Sequence, residues 1–89
     1  MKVRLRGKHW ELTRTKNLKS RGDIDNPGMK SKKIRVSTKI EDETEEILEV
    51  IIHECLHGLF WDISEEAITD SAQDLAKILY DLGARIHLE

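Results

Sequence analysis

Between Ile47 and Phe60 apolar side chains occupy almost every side of a helix, and a pair of histidines stands inside that run as His53-Glu54-Cys55-Leu56-His57. Ile47, Leu48, Val50, Ile51, Ile52, Leu56, Leu59 and Phe60 leave the helix no clear solvent face. Such a helix is central and buried rather than laid on a surface. Its start is marked by Asp42 and Glu45 at N-cap and N3 spacing, with acids through Glu46 suiting the positive end of the helix dipole. The pattern predicts a helix over 42–60. After a short link, Ser64 can cap a second helix over 64–83, with Glu65 and Glu66 in its first turn. Ile68, Ala72, Leu75, Leu79 and Leu82 form one apolar stripe at helical spacing, and Gly83 supplies a stop.

Upstream the period is two. Lys8–Thr15 and Lys33–Lys39 read as strands, the second with Ile34, Val36 and Thr38 on one face, and a short third strand fits near Val3–Leu5. Asn17–Lys32 reads as a loop whose Asn26-Pro27-Gly28 is turn chemistry. Its Arg21-Gly22-Asp23 triplet matches an adhesion motif only weakly. The expected fold is α+β in one domain: a small antiparallel sheet of two or three strands, paired as a long-looped hairpin over residues 1–40, then two packed helices. With 89 residues the chain has room for one core of marginal stability, to which a metal or a partner could contribute.

A single cysteine forbids an intrachain disulfide, no apolar run reaches the roughly 20 residues of a membrane span, and Met1–Trp10 has no hydrophobic signal core. These features point to the cytoplasm and away from a membrane partner. The net charge of −2 conceals an asymmetry: residues 1–39 hold thirteen Lys or Arg against three acids, and residues 40–89 hold two against fourteen. A basic first half could attract nucleic acid, but Trp10 is the one aromatic among those basics. The simpler explanation is that the two halves complement each other within one fold.

The chemistry lies in the histidine pair. Residues four apart on a helix share a face, with Cβ atoms roughly 6 Å apart. Two imidazoles so placed can share a Zn²⁺ at about 2.0–2.1 Å. Glu54 lies about 100° round the helix, within reach of a water on that metal, as a general base requires. Cys55 lies about 200° round and reads as a core residue. With four His and ten Glu in the chain, chance produces this pattern on the order of 0.02 times. The bland alternative, two surface histidines on a polar face, conflicts with the apolar run around them. A catalytic zinc takes a third protein ligand, and the following helix offers Glu65 and Glu66 in its first turn.

His-Glu-x-x-His followed by a helix bearing Glu-x-x-x-Asp resembles the gluzincin metallopeptidases, the thermolysin-like group. Glu66-Ala67-Ile68-Thr69-Asp70 is similar to that group's Glu-Ala-Ile-Ser-Asp segment. The resemblance covers about Thr44–Leu82. Its short gap from His57 to Glu66 fits the minimal zincin-like proteins of phages and prophages. It implies His53, His57 and Glu66 as zinc ligands, Asp70 as a partner orienting a ligand histidine, and Glu54 as general base in hydrolysis of a peptide or protein substrate. It also implies an edge strand lining the substrate cleft, a role that falls to Lys33–Lys39. The larger enzymes add a Tyr or His that stabilises the oxyanion. Tyr80, fourteen residues beyond Glu66, is about 21 Å along the helix and too far. His9 is a candidate from the sheet, and Arg85 and His87 fall near a terminus expected to be mobile. A zinc-stabilised nucleic-acid-binding or protein-interaction module is the alternative, although an intact Glu54 has no purpose in a purely structural site.

Overall fold

The computed structural model describes all 89 residues as four strands and two helices: β1 (Lys2–Leu5), β2 (Lys8–Thr15), β3 (Gly22–Ile24), β4 (Lys33–Ser37), α1 (Glu45–Leu59) and α2 (Glu65–Asp81). The α+β class and the order of sheet before helices are as expected. The sheet is not. It has four strands in the order β1-β2-β4-β3. Two hairpins, β1–β2 and β3–β4, stand side by side, and their inner strands β2 and β4 pair in parallel. The expected antiparallel pairing of these two strands is therefore corrected. The segment Asn17–Lys32 supplies the reason: it contains β3, which runs back along the far side of β4 and reverses the chain once more before β4 begins. Three half-buried residues, the first a glycine, leave too short a periodic signal to register as a strand.

The turns obey their local chemistry. Arg6 and Gly7 both adopt positive φ, 49° and 79°, as a two-residue hairpin between right-twisted strands demands. At Asn26-Pro27-Gly28 the Met29 N–H donates to the Asn26 carbonyl and the Gly28 N–H to the Asn26 side chain.

Three layers follow: sheet, α1, then α2, which packs on α1 alone. Trp10, Leu12, Ile34 and Val36 project from one sheet face onto Ile47 and Val50 of α1, with Ile51 and Cys55 beside them. Trp10 thus faces the core at 2 % exposure and offers no stacking surface to a nucleic acid. On the other side of α1, α2 buries Ile68, Ala72 and Ala76. Leu75, Leu79 and Leu82, expected in the buried stripe, are exposed, because nothing covers the outer flank of α2. Both helices have hydroxyl caps: Thr44 accepts from the Ile47 N–H and Ser64 from the Ala67 N–H. Thr44 thus replaces Asp42 as the cap of α1. No helix is long and apolar enough to cross a membrane.

Asp42 has another task. Arg14, on the inner face of β2, donates to the carbonyls of Ser37, Ile40 and Leu88 and to the Asp42 carboxylate, at 2.6–2.9 Å. Asp42 also accepts the Leu88 N–H, and that bond, ahead of Arg14, holds its carboxyl below the usual range. This clamp folds the C-terminal segment back under the sheet, where Leu88 joins the core. Ile86 and Leu88 pack on the core, while Arg85 before them and His87 between them are exposed.

Candidate metal centre

His53 and His57 sit one turn apart on α1, their ring centroids 5.0 Å apart. Opposite them stands the first residue of α2. One Glu65 oxygen lies 2.8 Å from His53 Nε2 and the other 2.8 Å from His57 Nε2. The two imidazoles and this carboxylate can each direct a donor atom to one point, since those atoms all fall within 4.8 Å of one another.

Of the two carboxylates in that first turn, the structure brings Glu65 to the histidines and not Glu66. The cause is helical phase. Glu65 precedes the buried Ile68 by three residues and Ala72 by seven, so it shares the face that α2 turns to α1. Glu66 is one residue further round and exposed, and Asp70, four residues on, shares its outward side. Neither makes an ion pair with the histidines, so the orienting role expected of Asp70 has no counterpart here. Cys55 faces the core, and burial, more than its neighbour Glu54, pushes its thiol up to about 11. It stays protonated, as a packing residue rather than a ligand.

The donor set fits zinc. A tetrahedral ion about 2.0–2.2 Å from each donor needs donor atoms roughly 3.3 Å apart, and one donor atom from each of the three residues falls within 4.8 Å of the others here. The Glu65 side chain is 68 % exposed and can make the small adjustment, whereas the imidazoles at 16 % and 18 % are held by the helix pair.

Glu54 lines the same cleft, together with Gly22, Ile24, Trp61 and the three donor residues. It is 8 % exposed. Burial first, then the nearby Asp23 and Glu65 carboxylates, pushes its pKa to about 7, against a smaller opposing pull from Arg21. A carboxyl poised near neutrality can both take and return a proton.

The cleft wall facing Glu54 is β3, a strand the sequence reading missed. Gly22 lies in the Arg21-Gly22-Asp23 triplet, and its lack of a side chain sets the width of the cleft. A Cβ there would lie 2.8 Å from Val50 Cγ1, 2.9 Å from the Arg35 carbonyl oxygen and 3.4 Å from Glu54 Cγ. Arg21 fastens the start of β3 to α1 through Glu49 at 2.8 Å and Glu46 at 3.3 Å. β3, not β4, is the edge of the sheet at the cleft. The bonds from Ser37 N–H to Arg21 and from Asp25 N–H to Lys33 set the phase of the β3–β4 ladder. By alternation, the backbone groups of Gly22 and Ile24 point to the free edge.

None of the side chains considered for oxyanion stabilisation reaches this cleft. His9 lies on the sheet face away from α1, opposite Arg4 of β1. Tyr80, in the last turn of α2, and Arg85 beyond it stack on each other at the helix's far end, with the guanidinium 3.6 Å from the ring centre. His87 is beside Asp42 and Glu43, before α1 begins. Trp61, absent from the expected site, lines the cleft directly; its position in the link between two helices gave no periodic signal. In comparisons with known proteins, the chain matches no family model, no curated protein and no solved structure.

Proposed function

We propose that this chain is a zinc-dependent peptide hydrolase in which His53, His57 and Glu65 hold the metal and Glu54 moves the proton. The observation that carries this reading is the convergence of both imidazoles on one carboxylate, with a buried carboxyl of raised pKa in the same cleft. When bound, zinc would supply Lewis acidity, polarising a carbonyl and bringing the pKa of a water towards about 7. Glu54 takes the proton from the attacking water and delivers it to the leaving nitrogen. His53 and His57, neutral for this task, present Nε2 lone pairs, with their protons moved to Nδ1. The outer edge of β3 receives the substrate backbone at Ile24 and at the Gly22 N–H, the Gly22 carbonyl already accepting from Ser20 Oγ at 2.9 Å, and this orients the scissile bond along the cleft. This puts β3 in the role expected of the Lys33–Lys39 strand, which is interior to the sheet.

The likeness to the gluzincin group supports the same chemistry, with the acid one position earlier than the likeness implies. The test is a matched pair of variants, assayed for zinc content by elemental analysis and for peptide cleavage. Glu54→Gln should keep about one zinc per chain and lose cleavage, since its amide cannot accept the proton. Glu65→Gln should lose zinc. A wild-type protein that holds zinc and cleaves no member of a broad peptide panel would leave a zinc-stabilised interaction module, the non-catalytic alternative.

A further inference from the structure

A second cavity, of about 350 Å³, adjoins the candidate metal centre on the His57 side. The two hollows share Trp61 as a common wall. Leu5, Leu59 and Trp61 give the second cavity its apolar surface, and Arg6, Lys8 and one acid, Asp62, give it its charge. This is small for a ligand cavity and suits one side chain rather than a cofactor.

The positive charge is placed there by the fold. Arg6 and Gly7 form the tight β1–β2 turn, which directs Arg6 over the end of α1. Its Nη1 donates to the Leu59 carbonyl at 3.0 Å, which favourably occupies the negative end of the helix dipole. One hydrogen bond leaves most of the five guanidinium N–H donors free. Lys8, the first residue of β2, makes no ion pair. Two cations, Arg6 and Lys8, thus line the cavity against one carboxylate.

An apolar wall with cations at its rim complements a short aliphatic stem that ends in a carboxylate. We propose that this cavity is a substrate subsite for a peptide residue bearing a carboxylate, supplied either by an acidic side chain or by a free C-terminus. The inference rests on the peptide-hydrolase reading for the reaction, but the subsite can be tested by binding alone. A lysine or arginine in the same place would meet Arg6 and Lys8 and be rejected. A neutral side chain would gain the apolar contact only.

The experiment uses the zinc-loaded protein and internally quenched peptides with an alanine background. Glu, Gln, Leu or Lys is placed at each position in turn, and every peptide is made with a free and an amidated C-terminus. Products are identified by mass spectrometry. At one position relative to the cleaved bond, or at the free C-terminus, the carboxylate should raise kcat/KM about tenfold over its neutral counterpart. Lys should be worst, and the preference should shrink as salt is raised. Lys8→Glu, and Arg6→Glu with Lys8→Glu, should reduce or invert the Glu-to-Lys ratio while zinc content is retained. The same peptides are titrated against wild type and Lys8→Glu by Trp61 fluorescence; Trp61 is 45 % exposed whereas Trp10 is buried. If nothing is cleaved but carboxylate peptides bind about tenfold better and Lys8→Glu removes the difference, the hydrolase reading falls and the subsite stands. Cleavage with equal preference for Glu, Gln and Lys, or a Glu preference indifferent to charge reversal, overturns the subsite and leaves the hydrolase reading intact. Equal binding of all peptides without cleavage overturns both.

Discussion

Glu54 should make the metal-free protein less stable as pH rises, and Glu54→Gln should remove that dependence. In the folded chain the carboxyl titrates near 7 rather than 4.5, mainly because burial strips water from the ionised form. The folded state therefore binds this proton more tightly than the unfolded state, so ionisation opposes folding. The stability associated with the protonated carboxyl is complete below about 4.5, declines as pH rises and is lost beyond about 7. The shift corresponds to about 3 kcal/mol once the group is fully ionised. Part of it comes from Asp23 and Glu65, which are 45 % and 68 % exposed and screened by solvent. Between pH 5 and pH 8 the advantage of Glu54→Gln should thus grow by about 2 kcal/mol. The assay is urea unfolding of both proteins with chelator present, at the two pH values. Taking the change in their difference cancels any constant cost of fitting the amide and the histidine titrations common to both chains. A difference that stays flat between pH 5 and pH 8 would refute the burial argument.

Zinc should raise the melting temperature and excess chelator should lower it, because metal held only by the folded state stabilises it; an unchanged thermal scan would count against the site. In zinc titrations, Glu65→Gln should weaken affinity by at least about tenfold while Glu66→Gln leaves it near wild type; the reverse result would restore the carboxylate implied by the gluzincin likeness. Gly22→Ala should cost about 1–3 kcal/mol in urea unfolding, since its new methyl group meets a backbone carbonyl that cannot rotate away; a neutral effect would show that β3 is not held against α1. Arg14→Met should destabilise the fold by roughly 3 kcal/mol or more, because it strips partners from the carbonyls of Ser37, Ile40 and Leu88 and leaves Asp42 without its guanidinium; hydrogen exchange should then show the C-terminal segment released first.

Both helices, the Ser64 cap and Gly83 stop of the second, three of the four strands and the histidine pair with its intervening glutamate are legible from the sequence, because each is written within a few residues. A period of 3.6 or 2, a Ser64 cap or an i, i+4 spacing needs no knowledge of distant chain. Gly83 is such a signal too: it takes a φ of 102° just past the C-cap of α2, where a side chain would be strained. Thr44 shows the limit of local signals. Asp42 satisfies the same capping rule two residues earlier, but Arg14 and the Leu88 N–H claim its carboxylate from across the fold.

What tertiary structure decided is which elements meet. The parallel pairing of β2 with β4 follows from a three-residue strand laid on the outer edge, a contact with almost no periodic signature. Nothing local to Arg14 announces the three carbonyls that converge on it from distant segments. The choice between Glu65 and Glu66 depends on how α2 is rotated against α1, and burial of Ile68, Ala72 and Ala76 sets that rotation. The sequence by itself determined that two imidazoles and a glutamate would share one helix, since helical geometry is local. Only packing could place a second helix's carboxylate 2.8 Å from both rings and close a glycine-lined strand over Glu54, because those distances depend on the whole core assembling at once.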